Sequence, residues 1–141
     1  MVDAGLVEEL QDWARGGYCT EAAVGLLIGH RYWLMRADFV ARIVFRFEGG
    51  RAMAGIEWAD IPAWLDTVAC SSSEASILRL ACELVGVDVG VSLGQLLTGL
   101  DERNVALVVT AVTHATGHRV NSLAFSDAHG VRRQESWATK L

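Results

Sequence analysis

Helix punctuation constrains this chain more than any other feature. Asp3, Thr20, Ser71, Ser92 and Asp101 are residues that cap helix N-termini, and Gly16-Gly17, Gly86, Gly99 and Gly117 are residues that stop helices. Ser71 with Glu74, and Ser92 with Gln95, have the spacing of a capping box, in which each side chain satisfies the other residue's backbone N–H. These marks cut an apolar-rich chain into segments only a few turns long. The expected fold is all-α, a single compact domain of five to seven short helices.

The segments carry helical periodicity. Ala4–Arg15 places Leu6, Leu10 and Trp13 on one face, opposite Glu8, Gln11 and Asp12. Thr20 is expected to cap Glu21–Gly29, where Gly25 and Gly29 either weaken the helix or allow a neighbouring helix to come close. Tyr32–Phe47 reads as a third helix, with Trp33, Val40, Val44 and Phe47 on one side and an Asp38–Arg42 pair on the other. A β-hairpin around 42–58 is the alternative, because Ile43, Phe45 and Phe47 alternate and Gly49-Gly50 is a turn signal. Helical periodicity accounts for more residues, so the helix is the expected state there. Further helices are expected at Ile61–Val68, started by Pro62, and at Ser73–Val85, Leu93–Thr98 and Glu102–Thr116. The last is apolar on more than one side, through Val105, Val108, Val109 and Val112 and through Leu107 and Ala111. It is therefore expected to be the central helix. Periodicity fades after Gly117, dividing the chain into a helical domain, 1–117, and a less regular C-terminal segment, 118–141.

Composition narrows the function classes. With 52% hydrophobic residues, 21% charged residues and a single proline, the chain can bury a core and is neither disordered nor collagen-like. A net charge of −5 argues against a nucleic-acid partner. That charge is arranged in blocks. Arg31, Arg36, Arg42, Arg46 and Arg51 dominate one stretch, whereas 52–102 has Arg79 as its lone cation, so the two stretches are expected to pack together, in this chain or in a second copy. No run approaches the ~18 apolar residues of a membrane span, and Met1–Gly17 lacks the features of a secretory leader. Cys19, Cys70 and Cys82 have no metal-ligand or redox spacing. The expectation is a cytoplasmic protein with no membrane partner, no cofactor and no metal.

Few residues suggest chemistry. His114 and His118 have the i, i+4 spacing of two helical metal ligands, but no base lies between them, and Gly117 breaks the helix. A third ligand would have to come from His30, His129 or a distant carboxylate. Asp101, Glu102, Arg103 and Asn104 form the densest polar cluster, which also suits a helix N-terminus. Cys19 is expected near a helix N-terminus, a setting that favours a thiolate, without an evident partner histidine. Leu96–Val109 has helix–turn–helix phrasing, but its second helix offers valines to a groove rather than basic groups. Arg31, Tyr32, Met35, Arg36, Arg42 and Arg46 mix the residue types enriched at interface hot spots. Met35, Phe39 and Phe45 add apolar surface that one small core need not absorb.

The expected function is accordingly a non-enzymatic protein–protein interaction or regulatory module, with a homodimer as one form. The alternative is a small enzyme or ligand-binding protein built on His114, His118 and the Asp101–Asn104 cluster.

Overall fold

The computed structural model describes residues 3–48 and 50–118. The C-terminal segment lies outside the described residues except for His118, as does His129. Seven α-helices and one two-stranded hairpin form a mostly helical domain among the described residues. No helix there is long and apolar enough to cross a membrane.

The chain runs α1 (Ala4–Ala14), α2 (Tyr18–His30), a 3-10 turn (Trp33–Met35), α3 (Ala37–Ile43), β1 (Val44–Glu48) and β2 (Ala52–Ile56). A second 3-10 turn (Trp58–Asp60) leads into α4 (Ile61–Leu65), α5 (Ser72–Leu84), α6 (Leu93–Leu97) and α7 (Glu102–Ala115). The caps work as the spacing predicts. Asp3 accepts the Gly5 N–H at 2.9 Å, and Asp101 accepts the Asn104 N–H at 2.8 Å. Ser71–Glu74 and Ser92–Gln95 both close as capping boxes. Thr20 is the exception. α2 begins at Tyr18, upstream of Thr20, with Gly17 as an N-cap that has no side-chain bond, and Glu21 folds back to accept the Gly16 N–H at 2.9 Å just ahead of it.

The central helix is α2, not α7. It packs against α1, α5 and α7, and it buries Ala22, Ala23, Val24, Leu26 and Leu27. Apolar residues spread round so much of its circumference leave no stripe, so periodicity did not single it out. By contrast α7 lies along one side of α2 and buries only Asn104, Val108 and Ala111. Val105, Val109 and Val112 keep 44%, 37% and 49% of their surface exposed.

Ile43 is the last residue of α3, and the expected third helix gives way to the hairpin. β1 pairs antiparallel with β2 in a register that sets Phe45 opposite Gly55 and Phe47 opposite Met53. A side chain at Gly55 would collide with the Phe45 ring and come within 2.7 Å of Trp13. Trp13 meets Phe45 edge-on at 6.0 Å, so α1 braces the hairpin. That support comes from a distant helix, which local periodicity does not register. The expected Asp38–Arg42 pair is also replaced. Asp38 takes both Arg36 bonds, at 2.6 and 2.8 Å, and Arg42 reaches Asp60 at 3.3 Å. The basic block does meet acidic residues, though many of them belong to α1 or its cap: Arg46 faces Asp3 and Glu9, and Arg51 bonds Asp12 at 2.9 Å.

An aromatic cluster anchors the far side of the core. Trp33 and Phe39 are fully buried, with centroids 5.7 Å apart, and Trp64 packs on both. Trp33 Nε1 donates to the Glu74 carbonyl at 2.9 Å, tying the 3-10 turn to the first turn of α5. Phe39→Ala is expected to lower unfolding free energy by about 3–5 kcal/mol, and Val109→Ala to change it by less than about 0.5 kcal/mol. Urea denaturation of both variants checks this ordering, and equal losses would contradict it.

Candidate functional site: a groove over the second helix

The α1–α2 turn, the exposed side of α2 and one flank of α7 enclose a groove of about 520 Å³. Ala14, Ala22, Leu26, Leu107 and Ala111 supply its apolar surface, and Gln11, Arg15, Glu21, Thr110 and His114 its polar groups. The floor is low because small residues line it and because Gly25, in the middle of α2, has no side chain.

Glu21 organises the polar end. One carboxylate oxygen accepts the Gly16 N–H at 2.9 Å, and the other lies 2.7 Å from His114 Nε2. The Gly16 bond, followed by the His114 bond, holds the Glu21 carboxyl below its ordinary value of 4.5. Glu21 is therefore the acceptor, and Nε2 carries the proton it receives. Tyr18 meets the His114 ring edge-on at 5.9 Å and also packs against Gly117, whose φ of +82° turns the chain at the end of α7. The imidazole is thus held by Glu21 and by a phenol ring. Its Nδ1 forms no hydrogen bond among the described residues, and His114 lines the groove. Arg15 is engaged with Asp12 at 2.8 Å.

The residues singled out from sequence are not brought together. His118 lies past the Gly117 break, with Nδ1 3.0 Å from Thr116 Oγ1, so it does not join His114. No group of three or more potential metal ligands occurs among the described residues. The Asp101–Asn104 cluster sits at the opposite end of α7 from His114, about 15–20 Å away at 1.5 Å per residue. Asp101 is a cap, Glu102 is exposed, and Arg103 donates to the Gly29 carbonyl at 2.8 Å. Asn104 is buried with its Oδ1 unpartnered among the described residues. Of these four residues Arg103 ties α7 to α2, and none of them meets His114.

The hot-spot candidates are also scattered. Arg36 clamps three pieces of chain: it bonds Asp38, the Tyr32 hydroxyl at 3.2 Å and the Ala69 carbonyl at 2.8 Å, and it lies over the Trp33 ring. Its bond to Asp38 holds it more firmly protonated than an ordinary arginine. Arg31 ends α2 in a left-handed conformation, φ 64°. Arg42 and Arg46 serve the ion pairs described above. Phe39 is buried, Phe45 packs under Trp13, and Met35 is exposed apart from them, so these three do not make a continuous apolar patch. Cys19 is exposed, whereas burial pushes the Cys82 thiol up to about 12.

Sequence reasoning missed Glu21, Tyr18, Gln11 and Arg15 as members of a site. The signals available were His114, as a residue type, and Gly25, one of two glycines inside α2. Comparison with protein-family models, curated proteins and solved structures finds no match to this chain.

Glu21 also has a stability consequence. Its folded pKa is lowered, so its contribution is present above the unfolded value of 4.5 and is lost as pH falls through the folded value. The stability difference between wild type and Glu21→Gln is expected to shrink as pH falls below about 4.5. Urea denaturation across that range measures it, and a difference that grows with acid would reverse the assignment.

Proposed function

We propose that the protein is a non-enzymatic binding module whose ligand lies in the groove over α2. Gly25 is the observation that carries this. A glycine inside a helix costs about 1 kcal/mol relative to alanine, so a structural reason for it is sought in its surroundings. For Gly29 the reason is packing, since a Cβ there would come within 2.8 Å of Leu107. For Gly25 there is no such neighbour within 4 Å, and the space above it is the groove. The bare backbone makes sense if something else comes close to α2 at that point.

Gly25→Ala is expected to stabilise the fold by up to about 1 kcal/mol, and Gly25→Leu to remain folded while filling the groove. In thermal-shift measurements against a panel of small metabolites, compounds that stabilise the wild type should lose their effect on Gly25→Leu. Equal shifts in both proteins would refute the groove as the site.

Protein–protein interaction is supported by a separate observation. Val105, Val109 and Val112 recur at i, i+4, i+7 and stay exposed on α7, away from the groove-facing residues Leu107, Thr110 and His114. If a second copy docks there, light scattering will show a concentration-dependent dimer that Val109→Glu abolishes. A wild-type monomer at all concentrations would exclude self-association through this face.

A further inference from the structure

We infer that His30 is an acid-sensitive latch on the corner where the end of α2 meets α5 and α7, closed while its imidazole is neutral and released when the ring takes up a proton. The ring is half-buried, and its Nδ1 is buried without a hydrogen-bond partner among the described residues. A neutral imidazole can carry its proton on Nε2 and leave a bare lone pair at Nδ1, whereas the charged ring must place an N–H there. A buried, unpartnered N–H that belongs to a cation costs more than a buried lone pair.

The corner offers the charged ring little in return. Arg103 of α7 donates at 2.8 Å to the carbonyl of Gly29, the residue just before His30, which fixes a positive charge near the ring. Two carboxylates also face it, Asp101 from the cap of α7 and Glu74 from the first turn of α5. Both already accept backbone N–H groups, Asp101 that of Asn104 and Glu74 that of Ser71, each at 2.8 Å. Arg31 follows in the chain and is exposed, and the Tyr32 ring lies 6.0 Å away with its hydroxyl bonded to Arg36. Burial first, and then Arg103, hold the imidazole below its ordinary value of 6.5 against the pull of Glu74 and Asp101. Stability is therefore full above about 6.5 and falls with pH from there down to the folded value. The load lands on one place. The Arg103–Gly29 bond and Leu107 seated against Gly29 close this end of the α2–α7 contact, and the bond from Trp33 Nε1 to the Glu74 carbonyl sets α5 beside it.

Imidazole signals of the full chain, followed by NMR from about pH 8 to 5, give the titration midpoint of His30, with the signal assigned by its loss in His30→Gln. The midpoint is expected below 6.5, and one at or above 6.5 would overturn the latch. Amide hydrogen exchange, taken relative to the unfolded-chain rate at each pH, locates the effect. From about pH 7 to 5 the wild type is expected to lose protection at amides 29–31 and 105–107 and to keep it in α1, while His30→Gln keeps it in both. A loss that is the same in the two proteins, or that spreads evenly over the wild type, would also overturn it.

Discussion

The burial of α2 on most of its circumference is the constraint on which the rest of the structure depends. Helices α1, α5 and α7 each take part of its surface. Whatever they do not cover becomes the groove, so the position of Gly25 and the position of the site are one fact. Had α7 been the central helix, its valines would be buried. Instead it lies to one side, one edge bordering the groove and Val105, Val109 and Val112 facing outward.

Glu21 connects this packing to chemistry. Its carboxylate satisfies a backbone donor at the start of α2 and reaches across to the end of α7. One residue thereby braces the turn before α2, joins two helices and holds an imidazole. At the other end of the same helix pair, Arg103 donates to the Gly29 carbonyl, and Gly29 lets Leu107 come close. The α2–α7 contact is thus tied at both ends, and the groove lies between those ties along one edge. Arg36 does similar work elsewhere, linking the α3 entry to the loop before α5 through Asp38, Tyr32 and Ala69.

Much of the fold was legible in the sequence where a short-range rule applies. Ser71 with Glu74 reads as a capping box because both bonds lie within one turn, and they form as spaced. The 42–58 region was legible only as two alternatives, because the bracing ring, Trp13, comes from α1. Thr20 was a poor guide to the start of α2, since Gly17 is the N-cap and no side chain caps the helix. At the site, His114 was visible as a residue type and Gly25 as an anomaly, but nothing local links them. His118 and the Asp101–Asn104 cluster are near His114 in the chain and still serve other contacts.

The sequence by itself determined the ends of most helices, because caps and glycines act over three or four residues, and each such choice is independent of the rest of the molecule. Only the tertiary structure decided which helix is central, that 44–56 is a hairpin, and which histidine gains a partner. Those outcomes depend on contacts between residues far apart in the chain, such as Glu21 and His114, separated by 93 positions. Such contacts leave no periodicity to read, and they exist only once α2 has been enclosed.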